Sequence, residues 1–260
     1  MHKLVLYFNS NLDSFFLYVN IIKESVNNMI ITSDTNPKIK LLLKLKQSKY
    51  RKSNGLFIVE GSHLVKEARM KNRLVEAYSI NEQEGYITLT EDLMKKVAST
   101  DTVVKEIGLC KIEENHELSN KILMLDAVQD PGNLGALLRS AKAFGFDTIV
   151  LGNGTVDLYN DKVIRSSQGA IFKLNFIHTN LVEFINKLDG YQIYGTDVVN
   201  GIELDDVKLN DKVAIILGNE GNGISNEVKA VLNKNIYIPM DDTESLNVSV
   251  AGSIIMYKLR

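Results

Sequence analysis

Three segments of the chain concentrate residue types able to hold and react a polar ligand. They are DPGNLGALLRSAKAFG (130–145), LGNEGNGIS (217–225) and IPMDDTESLNVSVAGSIIMYKL (238–259). Each lies just beyond a strand-like run. The first carries Asn133 and Arg139, the second Glu220, and the third Ser245 and Asn247. Gly218, Gly221 and Gly223 lack side chains, so backbone there can approach a ligand closely and adopt unusual φ angles. An arginine suits a phosphate or a developing oxyanion. Ser245 and Asn247 open the C-terminal helix, where free N–H groups favour anions. The plainer readings are a surface arginine on an amphipathic helix and helix caps at Asn133 and Ser245.

Several familiar chemistries find little or no support. No G-x-x-x-x-G-K-[ST] phosphate loop occurs, Gly152-Asn153-Gly154 leads to Asp157 where a dinucleotide fingerprint needs glycine, and GNEGNG has the wrong spacing. No G-x-S-x-G elbow is present, so Ser-His-Asp hydrolysis has no support. Cys110 is the single cysteine, and His2, His63, His116 and His178 show no ligand spacing. Neither a disulfide framework nor a metal site is expected, and a reducing, cytoplasmic setting fits.

The elements that must position these loops form an α/β alternation. Strand-like runs fall at 121–128, 148–152, 191–197, 212–218 and 235–240, with helical patterns at 133–145, 159–168, 180–189 and 224–232. The arrangement predicts a mostly parallel sheet covered on both faces. Upstream, 39–47 and 61–71 have helical periodicity and 55–60 (GLFIVE) reads as a buried strand. The polar stretch KIEENHELSN (111–120) is the linker candidate; with the linker placed at 113–120 it divides the chain into 29–112 and 121–260. Residues 1–28 read as an extension or a misassigned start, because Met29 begins MIITSDTNPKIKLLLKL, a natural-looking N-terminus. No run reaches the roughly 18–20 apolar residues of a membrane span; the stretch 4–22 is interrupted by Asn9, Ser10, Asn11, Asp13, Ser14 and Asn20.

The net charge of −2 hides an asymmetry. Between Pro37 and Val75 eleven basic residues face only Glu60 and Glu67, a net +9, whereas Ser119 to the C-terminus holds 13 basic and 17 acidic residues. A polyanion is the natural partner for the first region; a solvated helix face is the plainer alternative.

Together the three loops resemble, in order and spacing, the signatures of the SpoU (TrmH-like) RNA methyltransferases of the SPOUT class. IRSSQGAIFKL (164–174) is similar to that family's intermediate segment, and KYRKSNGLFIVEGSHLVKEA (49–68) to its L30e-like substrate-binding domain. The resemblance spans about residues 30–260. It implies a C-terminal trefoil-knotted α/β domain, a smaller N-terminal L30e-like α/β domain, and a homodimer with sites built from both subunits. It also implies attack of a ribose 2′-oxygen on the methyl of S-adenosyl-L-methionine. Thr196, Leu217, Gly218, Gly223, Ile238, Met240 and Leu246 are then expected to line the cofactor cleft. Arg139, Asn133, Glu220, Ser245 and Asn247 are expected to be catalytic. Because arginine stays protonated, Arg139 is expected to hold a phosphate or stabilise the 2′-alkoxide rather than act as a base. Glu220 is expected to orient Arg139 or the ribose. Lys49, Arg51 and Lys52 are expected to bind RNA, with Tyr50 as a further contact. The additional domain favours 23S ribosomal RNA over transfer RNA as substrate. A non-catalytic ribosome assembly factor and a nucleotide-using metabolic enzyme are the competing classes.

Overall fold

The computed structural model describes residues 29–260 apart from 101–103, 114–116, 199 and 209. The expected extension at 1–28 lies outside the described residues, as does part of the expected linker.

Two sheets organise the chain. The first is built from β1 (Ile30–Ile31), β2 (Leu56–Glu60), β3 (Leu74–Ser79), β4 (Ile87–Leu89) and β5 (Glu106–Lys111), in the order β1-β4-β3-β5-β2. Only β5 runs antiparallel to its neighbours. Its helices are α1 (Pro37–Leu45), α2 (Ser48–Asn54), α3 (Ser62–Met70) and α4 (Glu91–Val97). α1 starts where Asn36 accepts from the Lys38 N–H and Pro37 pre-sets φ. Its Ile39, Leu42 and Leu45 recur every three residues and are buried against Ile87, Leu89 and Ile107. α2 stops at Gly55, whose φ of 63° turns the chain directly into β2.

The second sheet contains β6 (Lys121–Leu125), β7 (Thr148–Leu151), β8 (Asn175–His178), β9 (Gln192–Thr196), β10 (Ile202–Glu203), β11 (Val213–Leu217) and β12 (Asn235–Tyr237). Its order is β10-β12-β9-β11-β6-β7-β8, with all pairings parallel. The helices are α5 (Pro131–Phe144), α6 (Asp161–Ser167), α7 (Leu181–Lys187), α8 (Asn226–Lys229) and α9 (Val248–Lys258). The central strands are apolar throughout because both faces are covered. Leu123, Leu125, Ile215 and Leu217 pack with Leu134, Leu137, Leu138, Ile255 and Met256 of α5 and α9. The alternate residues Ile122, Met124, Ala214 and Ile216 pack with Leu181, Ile185 and Val228 of α7 and α8. This α/β architecture matches the fold class expected from the sequence.

Boundaries differ in informative ways. β6 ends at Leu125, not 128, because Ala127 takes φ 57° and turns the chain. α5 begins at Pro131, and its cap is Asp130, which accepts from the Asn133 N–H at 2.9 Å; Asn133 is therefore not the cap. α9 begins at Val248 with Asn247 as its cap, so Ser245 lies in the preceding loop and does not open the helix. β8 and β10 carried no clear sequence signal.

Candidate active site

The C-terminal ends of β9, β11 and β12 surround a cavity of about 350 Å³. This is where an open parallel sheet generally receives ligands. Thr196, Leu217, Gly218, Gly223, Ile238, Met240 and Leu246 all line it, as do Glu220 and Ser245. Leu217 is buried and forms part of its floor. Behind Leu217, α9 passes so closely that a Cβ on Gly252 would sit 2.5 Å from Leu217 Cδ1 and 2.6 Å from Leu137 Cδ2. Thr196 donates from Oγ1 to the Ile216 carbonyl at 2.9 Å, which ties the end of β9 to β11.

The loop after β11 is closed by two backbone hydrogen bonds of 2.9 Å, Asn219 N–H to Gly223 O and Gly223 N–H to Asn219 O. Gly223 takes φ 67°, a conformation that favours glycine. Asn219 shapes the rest. Its Oδ1 accepts from the Gly221 and Asn222 N–H groups, and its Nδ2 donates to the Ala127 carbonyl at 2.9 Å. Ser225, which caps α8, donates its N–H to Asp126 Oδ2 at 2.7 Å.

Glu220 projects from this loop across to the first. Its carboxylate accepts from the Gln129 N–H at 3.1 Å, the Asp130 N–H at 3.0 Å and Asn133 Nδ2 at 3.0 Å. Partial desolvation pushes this carboxyl up. The Asn133 amide and the two backbone N–H groups pull it down further, so it stays ionised below the usual carboxylate range. Asn133 Oδ1 in turn accepts from Asn247 Nδ2 at 3.0 Å. Asn247 Oδ1 caps α9 through the Ser249 and Val250 N–H groups. A single chain of hydrogen bonds, Glu220 to Asn133 to Asn247, thus joins loops separated by 87 and 114 residues in sequence.

Two helices back this network. α5 and α9 are clasped by a hydrogen bond of 2.7 Å between the Ser140 and Ser253 hydroxyls. Arg139, next to Ser140, is exposed and makes no hydrogen bond or ion pair among the described residues. Among the described residues the Glu220 carboxylate contacts Asn133 and the first loop, and no contact joins it to Arg139. Ser245 is exposed at the cavity wall. Sequence reasoning had not singled out Asn219, Asp130 or Lys229, the last a cavity-wall residue; an asparagine amid glycines in a turn was the available signal for Asn219.

These loops and their order match a model of the SpoU rRNA methylase family over residues 120–257, more than half of the chain. The chain belongs to the SpoU rRNA methylase family. Its N-terminal part matches the MRM3-like substrate binding domain over residues 36–107. Among curated relatives, this SpoU chain is 36% identical over 245 residues to the 23S rRNA (guanosine(2553)-2′-O)-methyltransferase RlmP of Bacillus subtilis (strain 168), which covers 88% of this chain and 98% of the relative. Among solved structures, an RNA 2′-O ribose methyltransferase superposes with a TM-score of 0.74 at 29% identity, covering 89% of this chain and 98% of the other. An AdoMet-bound rRNA methyltransferase from Sinorhizobium meliloti shares the fold, with a TM-score of 0.80 at 23% identity over 89% and 97% of the two chains.

The N-terminal domain of this SpoU protein corrects one expectation. Arg51 is buried, at 7% exposure, and its Nη1 donates to the Leu45 and Lys46 carbonyls at 2.9 and 2.8 Å. Its Nη2 pairs with Asp157 in the loop between β7 and α6. A guanidinium so engaged is not available to RNA. The +9 run is thinned further: Lys38 pairs with Glu76, Arg73 is buried on the Lys111 carbonyl, and Lys46 caps the Lys96 and Ala98 carbonyls. Lys40, Lys44, Lys49, Lys52, Lys66 and Lys71 remain exposed. The Lys44 and Lys49 ammonium groups lie 5.7 and 5.9 Å from the centroid of the Tyr50 ring, so one aromatic face is embedded in positive charge. Among the described residues no group of three or more His, Cys, Asp or Glu side chains is placed to hold a metal.

Proposed function

We propose that the chain transfers a methyl group from S-adenosyl-L-methionine to a ribose 2′-hydroxyl of RNA, with 23S ribosomal RNA as substrate. The observation that carries this reading is the hydrogen-bonded chain from Glu220 through Asn133 to Asn247 at the edge of the cavity. It brings together the polar residues of three loops that have no shared structural task. The relation to RlmP, a 23S rRNA 2′-O-methyltransferase, supports the substrate class.

The residues present fit the cofactor. Leu217, Ile238 and Leu246 offer apolar surface for a base, the Gly218–Gly223 turn exposes backbone groups, and Lys229 and Glu220 place charge at the wall. When bound, S-adenosyl-L-methionine supplies an electrophilic methyl on a sulfonium. The protein must place the 2′-hydroxyl beside it and ease loss of the hydroxyl proton. Arg139 is a permanent cation with free donors, so it holds a phosphate or the 2′-oxygen as negative charge develops there. Glu220 is held ionised and is already filled by three donors, so it fixes Asn133 rather than carrying the proton. Lys49, Lys52 and Tyr50 contact RNA at residues 29–112.

A second copy of the chain covers α9. Val250, Ile254 and Tyr257 form an exposed apolar stripe at 47%, 40% and 52% exposure. Tyr257 packs edge-on to Phe144 of α5, which makes the stripe continuous with the helix that bears Arg139. Such a patch on the catalytic helices suits the isologous interface of a two-fold dimer. The protein works where ribosomal RNA is made, in the cytoplasm; among the described residues no helix is long and apolar enough to cross a membrane.

The test is transfer of radiolabelled methyl from S-adenosyl-L-methionine to total RNA from a strain lacking the protein. Label in the large ribosomal RNA, lost with Arg139→Ala, is expected. Binding of RNA and cofactor without transfer to naked RNA or to ribosomal precursors would instead establish a non-catalytic assembly factor.

A further inference from the structure

The segment 157–173, which holds all but the last residue of the IRSSQGAIFKL motif, lies outside the loops around the cavity and has no part in the chemistry above. Lys162 and Ser166 turn to Asp130 and Pro131 of the first loop, whereas Asp157, Tyr159, Phe172 and Lys173 face the N-terminal domain. Asp157 pairs with Arg51 and also accepts hydrogen bonds from the Ser48 side chain and the Tyr159 N–H. Phe57 of β2 is fully buried between Tyr159, with ring centroids 4.6 Å apart, and Phe172, at 6.0 Å. Lys173 pairs with Glu67 of α3 at 2.7 Å. Gly169, at φ 86°, presses so closely on α3 that an added Cβ would lie 3.0 Å from Glu67 Cγ. Phe57, Val59, Leu64 and Val65 consequently share one apolar cluster with Leu158, Val163, Ile164 and Phe172.

A domain tethered only by its linker would show a polar, solvated seam. Here the buried guanidinium of Arg51 donates through Nη1 to two carbonyls of its own domain and takes a carboxylate from the other. Removing that carboxylate leaves a buried charge short of a partner, so separating the domains is disfavoured.

We infer that residues 157–173 lock the RNA-binding domain onto the catalytic domain, and that Asp157, acting through Arg51, is a positioning residue for the RNA substrate. This rests on the proposed methyltransferase reading. Locked in this way, the exposed lysines around Tyr50 stand at a fixed distance from Arg139. The enzyme then measures from the bound RNA element to the target ribose, and RNA is selected by the separation of those two features. Pre-organisation of this kind lowers the cost of engaging both sites at once.

The test uses the full chain carrying spin labels at Lys95→Cys and Lys187→Cys, both exposed and one on each domain; the native Cys110 is buried. Mixed with excess unlabelled chain, so that a dimer carries labels on one copy only, wild type should give a single narrow distance distribution. Asp157→Asn should broaden it and raise KM for unmethylated 23S rRNA roughly tenfold, with kcat and cofactor affinity unchanged. Should Asp157→Asn fail to fold, Lys173→Ala removes the pair at the rim and should give the same changes, smaller. A broad distribution in wild type would overturn the lock. So would variants matching wild type in both distance and KM, or a fall in kcat with the distance unchanged. Failure of wild type to transfer methyl would sink the enzymatic reading alone, since the distance measurement judges the lock independently.

Discussion

Replacing Gly218 by alanine should disable the cofactor cleft while leaving the fold standing. An added Cβ would lie 2.1 Å from the Gly223 carbonyl carbon and 2.2 Å from the Ile224 nitrogen. Both are backbone atoms, so no rotamer change relieves the clash. Ordinary contact begins at 3.4 Å, so the loop must retreat by about 1 Å. That movement breaks or lengthens the two hydrogen bonds between Asn219 and Gly223, at about 0.5–1.5 kcal/mol each. It also drags Glu220 away from the Gln129 and Asp130 N–H groups. A misplacement near 1 Å at a site of this kind costs on the order of 100-fold in turnover. The assays are calorimetric titration with S-adenosyl-L-methionine, methyl transfer to RNA and thermal melting. Binding should weaken at least about tenfold, corresponding to ~1.4 kcal/mol, and turnover should fall by roughly 100-fold, with the cooperative melt retained. Wild-type affinity and turnover would show that the loop is not the cofactor wall.

Further outcomes follow from the same geometry. Glu220→Gln retains one carbonyl oxygen but sets an amide NH2 against a backbone donor, so turnover should drop roughly ten- to hundredfold with little change in melting temperature; unchanged kinetics would deny it a role. Tyr257→Glu places a charge in the exposed stripe on α9, and sedimentation should then show a monomer with impaired transfer; a dimer that persists would put the interface elsewhere. Burial pushes the Asp157 carboxyl up, but its hydrogen bonds to Arg51 and Ser48 bring it below its ordinary value of 3.8. Its contribution to stability is therefore complete above that pH and is lost as pH falls through the lowered value. The melting difference between wild type and Asp157→Asn should be full at neutral pH and shrink below about pH 4; a gap that widens in acid would contradict the assignment.

Much of the catalytic domain is legible in the sequence because its strands are buried on both faces and read as unbroken apolar runs. β8 escaped because NFIH is a short, half-exposed edge strand with neither alternation nor a continuous apolar run. The sequence pattern places the start of α5 two residues late because Pro131-Gly132 resembles a turn, although proline at the first helical position is equally a start signal. The meeting of Glu220, Asn133 and Asn247 could not be read from spacing, since their partners lie 87 and 114 residues away; only resemblance to the family suggested it. Arg51 misled for the same reason. A guanidinium in a basic run looks like an RNA contact until its carboxylate, 106 residues downstream, is in view.

Alkaline hydrolysis of ribosomal RNA tests most directly whether this site methylates a ribose 2′-oxygen. A 2′-O-methyl group blocks cleavage of the adjacent phosphodiester. RNA from a strain lacking the protein should be cut at the position that the protein methylates. RNA from that strain supplied with the wild-type chain should show one protected position in 23S rRNA, and Arg139→Ala should leave it cut. Protection that persists without the protein, or that returns fully with Arg139→Ala, would contradict the account.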